Sequence, residues 1–370
     1  MKGFNIRQTL KNFDFFMLFA VLITVFFGMV IIFSATNNYG NQLRFILVQF
    51  AALAIGLVVM MIIMTFDYDV FSEFPVQIFI FNILLLVLVL ILGTGLEETG
   101  SKSWIILGPV SFQPSEIAKI CFVLSLGGHL NKIKENVNEI RNIIMLLLHL
   151  CIPLALILLQ PDLGTALVYI VIFLGMTFIA GVSWKYYFFA ICSFLVSLPI
   201  FWYFLKDYQK KRIITFFNPE SDPLDAGYQV IQSKIALGSG GLFGKGYLHG
   251  AQTQLGILPA KHTDFIFAVV GEELGFIGCL FITVMLFLII SRCVYIGFTS
   301  KTDYGTLIAI GVASMFLFHT FENIGMCIGL MPVTGIPLTF VSYGGSAIIT
   351  NFAALALVMN VKYRNKYINF

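Results

Sequence analysis

Apolar residues fill most of this chain in blocks that are long enough to cross a lipid bilayer. A membrane-spanning helix needs about 20 predominantly apolar residues, and blocks of that kind recur along the whole sequence. They lie near residues 14–35, 45–66, 74–94, 113–130, 142–159, 163–181, 185–205, 265–291, 304–328 and 338–361. The pattern predicts an all-α, polytopic membrane protein with about ten transmembrane helices.

One long interval, from Lys206 to Gly275, is polar where its surroundings are apolar, and it is rich in Gly, Gln and Lys. We therefore predict a single membrane domain, residues 1–370, with one large extracellular loop over residues 206–264, between the seventh and eighth spans. A membrane protein that keeps one elaborated polar loop is expected to use it for chemistry. We place the active site in this loop.

Composition and charge agree with this topology. Hydrophobic residues make up 59% of the chain and charged residues 11%, whereas soluble domains average about 25% charged residues, so a soluble globule is excluded. With a cytoplasmic N-terminus, twelve Lys and Arg residues fall in inner segments and two, Arg44 and Lys102, in short outer loops. Because positive charge favours the cytoplasmic side, both termini are predicted to be cytoplasmic and the long loop to face outside.

The six cysteines lie in or beside apolar blocks and have neither disulfide-framework nor zinc-site spacing. We expect them to be small buried hydrophobic residues. The N-terminal segment lacks a cleavage site and runs into a block too long for a signal peptide, so no cleaved leader is expected.

Ionisable residues inside spans are costly and usually face a partner or a cavity. Glu116 and Lys119 stand three residues apart, a spacing that lets them pair on one helix face. They form either a structural ion pair or a site where Lys119 also meets an anion. Asp162 precedes an apolar block, which favours a helix cap over a catalytic role.

Two further polar spots interrupt the last two blocks: His319, Glu322 and Asn323 form one, and residues 341–346 form the other. Gly344 and Gly345 in the second spot favour a loosened helix start.

Within the long loop, Arg212 precedes an apolar run that would hold it at the membrane surface, where it can bind a phosphate. Lys245 lies in a glycine-rich turn that fails as a nucleotide-binding motif but whose backbone donors can hold an anion.

Asp264 has two interpretations: a helix cap with Thr263, or a general base with Lys261 and His262 beside it. His249 and His262 make a divalent metal ion an additional candidate, although no other metal ligands cluster with them.

Four long motifs resemble the SEDS family of bacterial cell-wall proteins (shape, elongation, division and sporulation), and most closely its rod-shape branch, the RodA proteins. They are "LGPVSFQPSEIAKI", "LQPDLGTAL", the stretch from "RIITFF" through "HGAQTQLGILP" to "VVGEELG", and "GLMPVTGIPLTFVSYGGS". The resemblance covers essentially the whole chain. It implies a multi-pass protein of the bacterial cytoplasmic membrane, with an active site facing outside.

The resemblance also implies an activity: a peptidoglycan glycosyltransferase that polymerises lipid II, the undecaprenyl-diphosphate-linked disaccharide peptide, on the outer face. The essential acid of the family matches Asp264, and its other polar positions match Glu116, Lys119, Asp162, Arg212 and Arg44. One position departs from the family: Ser103 stands where RodA proteins commonly carry Arg, with Lys102 beside it.

Together, the residues and the resemblance predict one mechanism. Asp264 takes a proton from an acceptor sugar hydroxyl, and the lipid diphosphate leaves towards cations such as Arg212, Lys119 and Lys245. One carboxylate suffices for an inverting displacement, unlike the paired carboxylates of sugar hydrolases. The rival class is a transporter, a lipid II flippase, which predicts internal repeats and broken helices; no repeat is visible.

The expected partners are a class B penicillin-binding protein transpeptidase and other rod-complex membrane proteins, with no nucleic acid. No S-x-x-K with K-T-G is present, so a transpeptidase must come from another chain. The sides of the eighth and ninth spans, which are rich in Phe and Leu and carry small residues such as Gly275, Gly278 and Gly311, are expected to offer close contact for a partner helix.

Overall fold

Backbone groups inside a bilayer have no water to bind, so each apolar block has to satisfy its own N–H and C=O groups as a helix. The computed structural model describes residues 13–95, 102–107, 110–204, 210, 214–223 and 225–365. Its helices, in chain order, are α1 (Phe15–Ala35), α2 (Gln42–Thr65), α3 (Pro75–Leu92), α4 (Pro114–Lys132), α5 (Ile140–Leu159), α6 (Leu163–Ile179), α7 (Trp184–Phe204), α8 (Ala226–Gly240), α9 (Ala251–Gln254), α10 (Ile266–Phe298), α11 (Asp303–Ile328) and α12 (Gly345–Asn365).

A helix coincides with each of the ten predicted apolar blocks, so the all-α class is confirmed. Seven helices of the described part of the chain are long and apolar enough to cross a membrane: α1, α2, α3, α5, α10, α11 and α12. The chain is therefore a multi-pass membrane protein. The full count of ten spans stays a prediction.

Strand structure in the described residues is limited to one hairpin, β1 (Ile105–Leu107) paired antiparallel with β2 (Val110–Phe112). Short 3₁₀ turns lie at Asn37–Tyr39, Tyr68–Glu73, Lys134–Asn136 and Pro219–Ser221. The hairpin leads directly into α4, which starts with a proline, a favoured first residue of a helix.

Helices α11 and α12 form the centre of the molecule: 67% of each membrane window is buried, against 28% for α2 and 22% for α3. At one end, Asp14 ties three helices together. Its carboxylate caps α1 through Met17 N at 3.2 Å and accepts from Arg292 Nε of α10 at 2.8 Å and Lys362 Nζ of α12 at 2.7 Å.

The predicted outer loop contains more regular structure than its turn-forming composition indicated. The 15-residue helix α8 lies within it and ends at Gly240, so Gly238 and Gly240 are helical residues instead of members of a flexible turn. Gly227, Val230, Ser233, Ala236 and Gly240 are its buried face. The small residues in this set allow close approach; the Ser233 hydroxyl, for example, donates to the Cys327 carbonyl at 2.8 Å.

Helix α10 is broken at Gly275, where φ is 69° and ψ is −163°. In an unbroken helix, Phe276 N and Ile277 N would donate to the carbonyls of Glu272 and Glu273. The turn 241–246 supplies new hydrogen-bond partners for the two N–H groups and for the two carbonyls. Its carbonyls Gly241 O and Leu242 O accept from Phe276 N at 2.9 Å and Ile277 N at 3.2 Å, while Lys245 N and Gly246 N donate to Glu272 O at 2.9 Å and Glu273 O at 3.1 Å.

We call this set of four bonds the backbone clasp. Glycine is required where the two backbone segments of the clasp meet. A Cβ on Gly275 would lie 2.3 Å from Gly244 N, and a Cβ on Gly244 would lie 2.1 Å from Glu273 O. The clasp therefore joins the outer loop rigidly to the first half of α10.

We expect Gly275→Ala to lower the free energy of unfolding by roughly 1–3 kcal/mol from the backbone conformation alone, and further through the clash with Gly244. The measurement is the thermal unfolding midpoint of the protein in detergent. Gly238→Ala is the matched control, because Gly238 is helical with nothing within 4 Å of its added Cβ. Equal midpoints for the two variants would contradict the role of the clasp.

Candidate active site

Asp264 lies just before α10, and its carboxylate does not cap that helix. The capping position belongs to Phe265, and no side chain makes a cap hydrogen bond there. Asp264 is half-buried. Burial raises the pKa of its carboxyl to about 6, although a hydrogen bond with the Thr263 side chain acts in the opposite direction. The helix-cap interpretation of Asp264 is therefore wrong, and the carboxylate remains available for other use.

The backbone beneath Asp264 is held by α11 and by the connection between α11 and α12. Three consecutive carbonyls accept hydrogen bonds from this region: His262 O from Tyr343 N at 2.9 Å, Thr263 O from Ser342 Oγ at 2.6 Å, and Asp264 O from Asn323 Nδ2 at 2.7 Å.

Two residues beside these contacts, Ala260 (φ 45°) and Phe340 (φ 62°), occupy the left-handed region without being glycine. Such strain persists only where the surroundings over-determine the backbone, and it concentrates at functional sites.

His262 lies in an aromatic enclosure instead of facing solvent. Its ring contacts Tyr39, Phe45 and Tyr343 at centroid distances of 5.6, 5.3 and 5.6 Å. Burial, with the positive charge of Lys261, lowers the pKa of the imidazole. Arg44 lies near enough to Tyr343 for its charge to act on that phenol and oppose the rise of its pKa by burial. Arg44 and His262 therefore both lie near Tyr343.

Lys261 is buried, and its ammonium is used within the fold. It donates to Asn38 Oδ1 at 2.6 Å and to Thr253 O at 2.5 Å. Burial lowers its pKa to about 8, with the charges of Glu273 and Glu272 acting in the opposite direction. Its structural role is to join the loop to the turn after α1.

Glu272 and Glu273 are fully buried and point to different partners, as expected for adjacent helical residues. Glu272 accepts from Gln252 N at 2.9 Å and from Thr253 N and Oγ1 at 3.0 and 2.8 Å. Glu273 accepts from Ser34 Oγ at 2.6 Å and from Gln254 Nε2 at 2.9 Å. Both carboxylates hold α9 against α10.

Lys245, predicted to bind an anion, donates its ammonium to Glu272 Oε1 at 3.3 Å, and its side chain is 34% exposed. The backbone donors of Lys245 and Gly246 belong to the clasp instead of lining an anion cradle. A substrate-binding role of the exposed part of Lys245 stays a prediction.

A second polar cluster lies between α4 and α11. The predicted pair is confirmed: Lys119 Nζ lies 2.8 Å from Glu116 Oε1, and both residues are almost fully buried. The same ammonium contacts His319 Nε2 at 3.1 Å. Glu116 Oε2 and His319 Nδ1 have no hydrogen-bond partner among the described residues. These unpaired atoms can form hydrogen bonds with water or with a ligand.

Asp162 caps α6, as its position predicted, by accepting from Thr165 N at 2.9 Å and Thr165 Oγ1 at 2.8 Å. Burial raises the pKa of its carboxyl, while the nearby Lys119 lowers it. Asp162 therefore belongs to the same polar cluster as Glu116 and Lys119.

Segment 334–336 connects this cluster with Asp264. On one side, a Cβ on Gly164 would lie 2.9 Å from Ile336 and 3.1 Å from Thr334 O. On the other, a Cβ on Gly335 would lie 3.7 Å from Asp264 Oδ2. Thr334 also donates its hydroxyl to Glu322 Oε1 at 3.0 Å. The sequence analysis missed this segment, and Gly335, at φ 73°, was the available signal.

Three remaining sequence predictions have different outcomes. Arg212 lies outside the described residues. Lys102, beside the unusual Ser103, donates to the Leu90 carbonyl at 3.0 Å. His249 Nδ1 contacts the Tyr247 carbonyl at 2.7 Å, and the described residues contain no group of three or more His, Cys, Asp or Glu side chains that would hold a metal.

Comparisons with known proteins give one consistent result. A profile of the cell cycle protein family that comprises FtsW, RodA and SpoVE matches residues 14–367. The peptidoglycan glycosyltransferase MrdB of Escherichia coli (strain K12) is 38% identical over 354 residues, which cover 95% of this chain and 94% of that protein.

Two solved structures share the fold. One is a chain from work on the coordination of polymerization and crosslinking by a peptidoglycan synthase complex, with a TM-score of 0.81, 31% identity and coverage of 96% of this chain and 99% of that one. The other is the rod shape determining protein RodA of Thermus thermophilus, with a TM-score of 0.71, 27% identity and coverage of 95% and 97%.

We expect the effects of Glu116→Gln and Lys119→Met on stability to be strongly non-additive. Removing one partner of a buried ion pair costs about 3–5 kcal/mol, because the other charge stays buried without a counter-ion. The measurement is a double-mutant cycle on unfolding. The exposed pair Lys134–Asp303 is the control, since surface pairs contribute about 0–1 kcal/mol. Simple additivity at Glu116 and Lys119 would show that they are uncoupled.

Proposed function

The chain belongs to the cell cycle protein family of FtsW, RodA and SpoVE, and from that premise we infer that this multi-pass membrane protein is a peptidoglycan glycosyltransferase. We propose that its substrate is lipid II and that polymerisation takes place on the outer face of the bacterial cytoplasmic membrane. The named activity of the MrdB relative supports the reaction class. The residues around Asp264 support the site.

The observation that carries the proposal is the state of the Asp264 carboxyl. It is not used as a helix cap, and burial raises its pKa to about 6. A general base works best when its pKa lies near the operating pH. At neutral pH, Asp264 is mostly ionised and is a stronger proton acceptor than an ordinary aspartate.

In the proposed reaction, Asp264 accepts the proton of the acceptor sugar hydroxyl while that oxygen attacks the anomeric carbon of the donor. The bond from this carbon to the lipid diphosphate breaks, and the diphosphate leaves with the electron pair. One new glycosidic bond forms with inversion. A single carboxylate is sufficient because the departing diphosphate, unlike an alkoxide, needs no proton from an acid.

Charge on the leaving diphosphate requires cations, and Lys119 is a buried cation beside the Asp162 carboxylate. Lys119 is held by Glu116 and His319, and α11 connects it with the backbone of Asp264. We propose that Lys119 stabilises the leaving group, with Arg212, Arg44 and Lys245 binding substrate at the membrane surface. Glu116 and Asp162 orient this cluster.

The flippase alternative expects a broken helix that lines a transport path. Helix α10 is broken, but the clasp uses the four backbone groups that the break releases. This arrangement favours an enzyme with a fixed site over a transporter that opens at the break.

We expect Asp264→Asn, which keeps the size of the side chain, to insert normally and to lower glycan synthesis by about 10²–10⁴-fold, the usual contribution of a general base. Asp264→Ala should likewise make no glycan. The assay is polymerisation of purified lipid II. Because protonation removes the base, wild-type activity should also fall as the pH drops through about 6.

The control for this experiment is Asp225→Asn. Asp225 is an exposed carboxylate of the same loop, without a side-chain cap bond, so its removal should leave activity unchanged. Polymerisation by Asp264→Asn at the wild-type rate would exclude Asp264 as the base.

For the partner, we propose a class B penicillin-binding protein transpeptidase, together with other rod-complex proteins. The glycines expected to admit a partner helix are the wrong surface. Gly275 lies against the clasp, and a Cβ on Gly311 would lie 2.8 Å from both Met176 and Val123 within the chain. Gly278 is buried as well. The apolar side of the eighth span is exposed on α10 at Phe276, Leu280, Val284 and Phe287, and we propose this stripe as the partner surface.

We expect a single-span transpeptidase to co-purify from native membranes and to raise the rate of glycan synthesis. The measurement compares the isolated chain with the complex at equal concentration. A Leu280→Arg variant, which places a charge on the exposed stripe, should weaken co-purification. Full activity of the isolated chain, with no partner recovered, would refute activation by complex formation.

A further inference from the structure

Asn323 links two segments of the chain that meet beside Asp264. It is fully buried on α11, and its Nδ2 donates to Asp264 O at 2.7 Å and to Ile336 O at 2.8 Å. These two carbonyls belong to separate segments that meet at the Asp264 carboxylate. One segment carries the carboxylate, and the other brings Gly335 against its Oδ2 atom. One side chain therefore links the two backbone segments that meet beside the carboxylate.

The face of α11 that carries Asn323 also reaches the second polar cluster. His319, Asn323 and Cys327 are spaced by four residues and share one helix face. His319 contacts Lys119 at 3.1 Å, and Cys327 Sγ lies 3.8 Å from Asp264 O. One helical turn, about 6 Å of rise, separates the residue that contacts Lys119 from the residue that holds Asp264.

We propose that Asn323 is a positioning residue, which sets the distance between the Asp264 carboxylate and the Lys119 ammonium through α11. The inference rests on the proposed function, in which these groups serve as base and leaving-group cation. Displacing a reacting group by about 1 Å lowers a rate by about 10²-fold. The effect of Asn323 is therefore on turnover, whereas substrate affinity depends on other groups.

The test replaces Asn323 by Leu, which has a similar volume and no donor. Asn360→Leu is the matched control, because Asn360 is also a buried amide whose Nδ2 donates to two carbonyls, Ile63 O at 2.9 Å and Phe66 O at 2.8 Å. The readouts are kcat and KM for lipid II polymerisation, the pH profile of kcat, and the unfolding midpoint.

We expect Asn323→Leu to lower kcat by about 10²-fold, to change KM by less than about threefold, and to move the acidic limb of the pH profile, because the environment of Asp264 changes. Asn360→Leu should lose similar stability and keep kcat. A kcat for Asn323→Leu within twofold of the control, or an unmoved acidic limb, would overturn the proposal.

Combination with Asp264→Asn separates this inference from the proposed function. If Asn323 acts through Asp264, the double variant is no slower than Asp264→Asn alone; multiplied losses would overturn the positioning role. Wild-type activity of Asp264→Asn would instead refute the proposed function, and with it the inference. If Asn323→Leu fails to fold, the second variant is Ser342→Ala, which releases the neighbouring Thr263 carbonyl and the Leu338 N–H. It must lower kcat with an unchanged KM, and an unchanged kcat would count against the proposal.

Discussion

The break in α10 determines the rest of this architecture, because free backbone groups at membrane depth must find partners. The break releases two carbonyls and two N–H groups around Gly275, and the turn 241–246 binds all four. Once the turn is in place, Glu272 and Glu273 add side-chain bonds to the neighbouring loop. The first half of α10 is thus hydrogen-bonded to the outer loop. The second half carries the exposed apolar residues. Asp264 sits at the end of the fixed half.

Some buried charged groups have all their partners nearby, whereas others retain atoms without a hydrogen-bond partner. Asp14 has two cations, and Glu272 and Glu273 accept several hydrogen bonds each. By contrast, the cluster of Glu116, Lys119 and His319 contains unpaired atoms, and burial raises the pKa of the Asp264 carboxyl. Incomplete satisfaction is costly in an apolar interior. Segment 334–336 lies between Asp162, which belongs to this cluster, and Asp264, so a polar ligand there would find hydrogen-bonding groups that the fold leaves unpaired.

Sequence analysis predicted the helices well and their interruptions poorly. Block length and hydropathy were sufficient for α1 or α11, and the spacing of Glu116 and Lys119 was sufficient for their pairing. The break at Gly275 was missed because the apolar block 265–291 was interpreted as one continuous helix, although Glu272 and Glu273 interrupt it. Helix α8 was missed because its glycines resemble those of a turn. The anchoring of Asp264 involves backbone carbonyls, which carry no residue-specific signal. Contacts such as that of Asn323 with the Asp264 carbonyl, 59 positions away, depend on the packing of distant segments, and a single sequence does not encode them as a pattern.

The contacts beneath Asp264 have a consequence for biosynthesis. The clasp joins residues about 30 positions apart and can form as soon as α10 leaves the ribosome, since local contacts close quickly. The donors to the His262, Thr263 and Asp264 carbonyls lie 81, 79 and 59 positions later in the chain. Two of them, Tyr343 and Ser342, directly precede α12. The hydrogen bonds that hold the backbone of residues 262–264 are therefore completed only after the chain has been synthesised beyond Tyr343.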